Sequence, residues 1–164
     1  MRPYIHIVVM LIISLNLTLG QGRKVDVQVT ATVDPTIEMI TLANIDVGTV
    51  VPSEDLLKVD PRKDQGAGLI LVTGRPRAEI QISFTDYVEM RNAASDIPLD
   101  VYYSISGNTE NNQSASQIFT ENPINVNISP AGEYYIWIGC EFSLKNLVAG
   151  SYDGDFVIDV EFTQ

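Results

Sequence analysis

Almost every patterned stretch of this chain after residue 22 alternates apolar and polar side chains with a period of two residues. Successive side chains of an extended chain point to opposite sides, so this pattern gives a strand one apolar face and one polar face. The clearest instance is the segment 156–162, where Phe156, Ile158, Val160 and Phe162 would share a face. No convincing run of apolar residues occurs at helical spacing. The pattern therefore predicts a chain built from strands.

The alternation predicts a series of short strands separated by residues that favour turns. The predicted strands are 23–33, 36–42, 47–51, 56–59, 69–73, 78–84, 99–105, 124–128, 134–144 and 156–162. The strands 69–73 and 78–84 are expected to form a hairpin around Gly74. The polar stretch 85–98 that follows them has no clear pattern. Because no helix is long enough to cover a sheet, two sheets should pack face to face. The predicted fold is an all-β, immunoglobulin-like two-sheet β-sandwich.

The first 20 residues have the composition of a secretory signal peptide. A single basic residue, Arg2, precedes an apolar run that ends in small residues before Gln21. Signal peptidase accepts small residues before the cut, so we expect cleavage between Gly20 and Gln21. The alternative is a transmembrane anchor, which needs ~20 apolar residues, whereas this run is shorter and interrupted. The expected organisation is a signal peptide at 1–20 and one exported domain at 21–164, with no membrane span in the mature chain.

The mature chain is expected to be strongly acidic. Arg2 is the one basic residue among the first 20, so 9 of the 10 basic residues would remain beside 21 acidic residues. Nucleic acids and anionic membranes bind clusters of Lys and Arg, and neither is expected as a partner. A domain of this length buries about 68% of its unfolded surface and needs no disulfide to form a core. The expected location is secreted, in the periplasm or at a bacterial cell surface.

The histidine and cysteine content argues against most catalytic and metal sites. The only histidine, His6, lies in the predicted signal peptide. Ser-His-Asp and Cys-His sites and the usual zinc and iron sites all rely on imidazole. Cys140, the only cysteine, falls on the apolar side of its predicted strand, which favours a buried, inert thiol over an intermolecular disulfide. No catalytic residue, metal site or cofactor is predicted, and the chain is not expected to be an enzyme.

Four fragments, in this order along the chain, carry a family resemblance: Ile45–Pro52, Val72–Pro76, Trp137–Gly139 and Gly150–Phe156. The first is similar to a Leu-x-Phe-Gly-x-Ile/Val-x-Pro element without its aromatic residue, and the last to a Gly-x-Tyr-x-Gly-x-Phe ending. Together they resemble a family of exported bacterial proteins of unassigned function, related to spore coat protein U and to pilin-like fimbrial subunits. The resemblance implies a pilin-like fold, an exported setting, and a homo-oligomer or fibre with an export or assembly chaperone.

In usher-assembled pilins, which this family is similar to, an incomplete sandwich exposes an apolar groove that the N-terminal segment of the next subunit fills. The resemblance implies that 23–33 is this donor strand, with Val25, Val27, Val29, Ala31 and Val33 as its inserted residues. The groove or terminal-strand residues would be Phe156, Ile158, Val160 and Phe162. The alternative is that 23–33 is simply the first strand of its own sandwich. The expected function is a non-enzymatic structural or surface-assembly protein that acts through β-strand-mediated association.

A second hypothesis concerns two aromatic residues on the polar side of the predicted strand 134–144. Tyr135 and Trp137 lie two residues apart, so both rings would stand on one surface. There they would stack on a sugar ring or anchor an interface. The alternative is that they pack beneath a loop, since outer faces are rarely bare. If both rings are exposed, the chain is a monomeric extracellular binding module for carbohydrate or another surface ligand.

Overall fold

The chain folds into strands joined by short turns. The computed structural model describes residues 36–92 and 95–163, and no α-helix occurs among them. Two 3-10 turns lie at Val47–Thr49 and Gln113–Ala115. The strands are β1 (Glu38–Ala43), β2 (Leu56–Val59), β3 (Gly68–Thr73), β4 (Glu79–Phe84), β5 (Tyr87–Asn92), β6 (Ser95–Asn108), β7 (Gln117–Ile118), β8 (Ile124–Asn127), β9 (Glu133–Ser143) and β10 (Ile158–Phe162).

These strands form two antiparallel sheets. The larger sheet has the order β1-β3-β9-β6-β5, with β2 also paired to β9 and β7 to β6. The smaller sheet has the order β10-β4-β8. Side chains of β3, β4, β6 and β9 meet in one buried cluster, so the two sheets pack face to face. The predicted all-β, immunoglobulin-like two-sheet sandwich is confirmed.

Two clusters of buried side chains lie against the inner face of the larger sheet. The first fills the space between the sheets and includes Ile80 and Ile82 of β4, which have no exposed surface. The second lies under the other end of the larger sheet, around Val59, Val101 and Cys140. Side chains from the irregular segments 44–52 and 144–152 pack against this second cluster. Each fully buried Ile, Leu or Val contributes about 1.5–3 kcal/mol, so these clusters hold the layers together.

The segment 47–51 forms a 3-10 turn and a loop, so the strand predicted there is wrong. The carboxylate of Asp46 accepts a hydrogen bond from the backbone N of Gly48 at 2.9 Å, which caps the turn. A short polar side chain that binds its own backbone in this way competes with strand pairing. The apolar residues of the segment then serve the core from a loop, since Val50 packs against the second cluster.

The predicted hairpin around Gly74 is also wrong. β3 pairs with β1 and β9, whereas β4 pairs with β10 and β8, so the turn carries the chain from one sheet to the other. The polar stretch 85–98, which had no clear pattern, forms β5 and the start of β6. Cross-strand pairs such as Tyr87 with Tyr102 and Val88 with Val101 stabilise this edge despite its polar composition.

Candidate functional site at the open margin of the sandwich

β10 forms one edge of the smaller sheet. Val160 lies directly opposite Ile82 and Phe162 opposite Ile80, and within 36–92 and 95–163 no strand pairs with the other edge of β10. Directly opposite residues of an antiparallel pair share a face. Ile80 and Ile82 have no exposed surface, whereas Val160 and Phe162 are only half-buried. The apolar face of β10 therefore reaches the core without being fully covered.

β1 forms the facing edge of the larger sheet and is exposed along its whole length. Its partner among the described strands is β3, where Met39 lies opposite Val72 and Thr41 opposite Ile70. Val72 is a core residue, so Met39 points to the core side of the sheet, yet its side chain is 46% exposed. An apolar edge strand without cover is a liability for a monomer, because it can pair with another chain.

The start of β1 and the end of β10 approach each other. A Cβ atom built on Gly74 would lie 3.7 Å from Cγ1 of Ile37, just before β1, and 3.5 Å from Cζ of Phe162. Ile37, Ile70 and Phe162 all pack on the cluster between the sheets while remaining half-buried. We call the space bounded by the inner faces of β1 and β10 the open margin. It is lined by Ile37, Met39, Ile70, Ile158, Val160 and Phe162.

The candidate groove residues all lie beside the core. Ile158, Val160 and Phe162 are in β10, and each is half-buried against the cluster between the sheets. Phe156 precedes the strand, which begins at Ile158, so its expected place within the strand is wrong. Its ring instead packs 4.5 Å from the ring of Tyr103, which fixes the entry of the chain into β10.

The candidate donor strand lies outside the described residues. This holds for Val25, Val27, Val29, Ala31 and Val33, and for the predicted signal peptide at 1–20. The described chain begins at Thr36, two residues before β1. In the sequence, residues 34–37 separate the segment 23–33 from β1.

The part played by β1 was missed in the sequence. The pattern of 36–42 did carry a signal, because Met39 would fall on one face of the strand while Ile40 and Leu42 fall on the other. Apolar residues on both faces are usual for a strand at the centre of a stack. At a sheet edge the same pattern leaves Ile40 and Leu42 exposed as well.

Trp137 is buried, so the hypothesis of an exposed Tyr135 and Trp137 pair is wrong. Trp137 does lie on the outer face of β9 beside Tyr135, with ring centroids 6.2 Å apart, but only 4% of it is exposed. Ser106, directly opposite Trp137, donates its hydroxyl to the carbonyl of Pro61 at 3.4 Å. The segment 60–66 thus covers this part of the sheet. Trp137 therefore packs beneath a loop, which was the alternative to an exposed pair.

Gln113 holds the segment 60–66, which we call the cover, in place. Its side-chain Nε2 donates to the carbonyl of Pro61 at 3.1 Å and to the carbonyl of Asp64 at 2.8 Å. Ser116 adds a buried bond from its hydroxyl to that of Ser106 at 2.8 Å. Since these bonds satisfy backbone carbonyls near the sheet, the cover is held in one arrangement.

Trp137 is the single tryptophan of the chain, so its fluorescence reports on this cover. Gln113→Ala removes the two bonds from Gln113, and we expect a loss of about 1–2 kcal/mol of unfolding free energy with stronger acrylamide quenching. Gln81→Ala is the matched control, because Gln81 bonds to Asn125 on the smaller sheet. Equal quenching in Gln113→Ala and the parent chain would contradict the assignment.

Cys140 is a buried thiol on the inner face of β9. Burial raises the pKa of its thiol to about 11, and burial also raises the pKa of Tyr134, in the core cluster between the sheets, to about 12. The thiolate is the reactive form of cysteine, so the buried thiol is inert at neutral pH. This placement agrees with the expectation from the strand pattern.

The same two groups predict a loss of stability in alkali. In the unfolded chain they ionise near 9.0 and 10.0, so above these values the unfolded chain binds fewer protons than the folded chain. The contribution of these two groups to the unfolding free energy should therefore be constant up to about pH 8.5 and then fall. Urea titrations across this range test this, and Cys140→Ala should show a shallower fall. A stability that rises above pH 9 would contradict the assignment.

Among the described residues, three or more His, Cys, Asp or Glu side chains nowhere gather in a way that could hold a metal ion. The same part of the chain has no helix with the length and hydropathy needed to cross a membrane.

Comparison with known proteins finds a similarity in structure alone. No family model matches the chain, and no curated protein matches it. Among solved structures, the chain is similar to one from a structure described as "Chaperone-tip adhesin complex is vital for synergistic activation of CFA/I fimbriae biogenesis", with 12% identity and a TM-score of 0.49. The similarity covers 78% of this chain, which spans 42% of the length of that chain.

Proposed function

We propose that the protein is an exported, non-enzymatic structural or surface-assembly protein, pilin-like in its mode of action. In this proposal it associates with further copies, or with a partner, by addition of a β-strand at the open margin. The observation that supports the proposal is that the burial of inward-facing side chains decreases from the middle of the smaller sheet to the open margin. Ile82 in the middle of the smaller sheet is fully buried, its partner Val160 is half-buried, and Met39 across the margin is exposed.

Addition of a strand would supply the two things that the open margin lacks. These are hydrogen-bond partners for the backbone of β10 and cover for its apolar side chains. A strand laid beside β10 would take up backbone hydrogen bonds that the free edge offers. Its alternate side chains would cover Ile158, Val160 and Phe162, and burial of apolar surface stabilises the contact by about 25 cal/mol per Å². The outer-facing Asp159 and Glu161 of β10 would stay in water. The margin therefore suits an extended segment with apolar side chains at every second position.

The segment 23–33 has this pattern. Its alternate residues Val25, Val27, Val29, Ala31 and Val33 are small or β-branched, and the polar residues between them, Asp26, Gln28, Thr30 and Thr32, fall on the opposite face. Small β-branched residues have high strand propensity and fit between two edge strands. We therefore take 23–33 of another copy as the occupant in an assembly.

The same segment can close the margin of its own chain in an isolated monomer. The contacts would be the same in the two arrangements, so their free energies differ little apart from the entropy of association. Exchange of the segment between copies then converts closed monomers into an oligomer or fibre. While no segment fills the margin, its uncovered apolar edge needs protection from aggregation, which is the part we assign to an export or assembly chaperone in the periplasm or at the cell surface.

Sedimentation velocity of the mature chain 21–164 over a concentration series tests the proposal. We expect oligomers, and we expect that deletion of 23–33 leaves a folded monomer that keeps the far-UV circular dichroism of a β-sheet protein. A matched control replaces the polar residues Gln28 and Thr30 by Ser, which preserves the apolar alternation and should preserve assembly. Monomers both before and after the deletion, or oligomers that survive it, would overturn the proposal.

A further inference from the structure

Two exposed tyrosines form a pair on the outer face of the larger sheet. Tyr87 of β5 lies directly opposite Tyr102 of β6, with ring centroids 5.3 Å apart and ring planes inclined at 45°. Tyr87 is 41% and Tyr102 is 56% exposed, and neither belongs to a core cluster. Large aromatic rings that are left uncovered on a rigid surface are the residues most enriched at binding sites.

The two tyrosines end a row of four directly opposed side chains. Glu141 of β9 lies opposite Tyr102, and Lys58 of β2 lies opposite Glu141. Neighbouring strands are about 4.8 Å apart, so the row spans about 15 Å. The next row along β5 and β6 places Glu89 opposite Asp100. We call this surface the tyrosine strip, which consists of Lys58, Tyr87, Glu89, Asp100, Tyr102 and Glu141.

The groups of the strip are held in place by one another. The hydroxyl of Tyr87 donates to Oδ1 of Asp100 at 2.6 Å, and this bond is the main reason that the pKa of Tyr87 rises to about 12. Nζ of Lys58 donates to Oε2 of Glu141 at 2.7 Å. All of these residues lie on paired strands, so binding would order few additional groups and lose little entropy.

All three carboxylates of the strip already have partners, and this selects among ligand classes: Asp100 accepts a hydrogen bond from the hydroxyl of Tyr87. Lys58 pairs with Glu141, and Arg91 pairs with Glu89 at 2.9 Å. A cationic ligand would have to displace these partners, and an anionic one would meet a chain with net charge −11. A neutral polyhydroxylated ring meets neither obstacle. Its C–H face can pack on tyrosine, while its hydroxyls donate to carboxylate oxygens and accept from an ammonium group.

We propose that the tyrosine strip binds a neutral saccharide, with one sugar ring stacked on Tyr102 and its hydroxyls bonded to Asp100, Glu141 and Lys58. Tyrosine presents a large rigid face at low conformational-entropy cost, and a strip of about 15 Å accommodates two or three sugar rings. This site is separate from the open margin, since it uses the outer face of β5, β6, β9 and β2. It therefore stands or falls independently of the proposed function.

The test uses the mature chain on an array of neutral oligosaccharides built from glucose, galactose, mannose or xylose, followed by calorimetric titration of the ligands that bind. We expect Tyr102→Ala to weaken binding about three- to tenfold, because stacking on an aromatic ring is lost. Tyr102→Phe keeps the ring and should bind within about twofold of the parent chain. Tyr135→Ala is the matched control on the same face and should leave the affinity unchanged.

The failure of this site and the failure of the proposed function give different results. The chain without 23–33 should still bind the saccharide, because the deletion does not touch the strip. Absence of binding to any neutral oligosaccharide, or an affinity unchanged by Tyr102→Ala, would overturn the proposal. Binding of a cationic peptide alone, or loss of self-association in Tyr102→Ala, would show that the strip binds a different kind of partner. Either result would also overturn the proposal of a saccharide site.

Discussion

Val160→Asp on β10 is expected to lower the association constant of the mature chain at least about a hundredfold, because an unpaired charge covered by an added strand costs several kcal/mol. In a monomer whose margin is open the new carboxylate would remain in contact with water, since Val160 is only half-buried. We therefore expect a smaller loss of about 1–2 kcal/mol in the unfolding free energy of the monomer. Sedimentation equilibrium measures the first quantity and urea titration the second.

Two further substitutions keep this test interpretable if Val160→Asp folds poorly. Val160→Thr preserves shape while removing part of the apolar contact, and it should give an intermediate loss of association. Asp159→Asn changes the neighbouring residue, whose side chain points away from the core and is exposed, and should associate like the parent chain. Association that is unaffected by both substitutions of Val160 would contradict a role for β10 in assembly.

Gly139→Ala is expected to destabilise the fold by about 3 kcal/mol or more, because it places a methyl group against backbone that cannot move aside. A Cβ atom on Gly139 would clash with the carbonyl of Val59 and would lie 2.6 Å from Cδ of Pro61. Gly139 lies in the middle of β9, and Pro61 belongs to the segment that covers Trp137. The clash would therefore act on the sheet and on its cover together, and Trp137 should become more accessible to acrylamide.

Gly48→Ala is the matched control for this prediction. Its Cβ atom would lie 3.2 Å from the carboxylate of Asp46, which is the end of a side chain that can move. A loss of no more than about 1 kcal/mol is expected there. Thermal and urea denaturation of both variants measure the difference. Equal stabilities of Gly139→Ala and Gly48→Ala would show that the cover over Gly139 is not as tight as the structure has it.

The period of two sufficed to predict the layers of the fold but not the routes between them. β9 appears almost where the alternation of 134–144 placed it, because its inner face is apolar at every second position. The turn at Gly74 shows the limit, since a tight turn looks alike whether it joins paired strands or crosses between sheets. Which of the two occurs depends on pairing with distant strands such as β9 and β10, and local sequence does not contain that information.

The candidate sites also include features that alternation predicts and features that depend on contacts between distant residues. Alternation alone predicts that Ile158, Val160 and Phe162 lie on the same face of their strand. In the structure all three side chains face the core. Alternation places Trp137 on the outer face but does not show that the segment around Pro61 covers it. Tyr87 lay in a stretch without pattern, and only its pairing with Tyr102 across β5 and β6 creates the tyrosine strip. Contacts between residues far apart in sequence account for each of these differences.

Binding of a synthetic peptide with the sequence of residues 23–33 to the chain that lacks them is the most direct measurement of strand addition at the open margin. We expect saturable binding of one peptide per chain, a higher melting temperature with bound peptide, and much weaker binding to the Val160→Asp form. A peptide in which Val27 and Val29 are replaced by Asp should not bind. Failure of the native peptide to bind, or equal binding to the Val160→Asp form, would contradict the assignment of the open margin as the site of assembly.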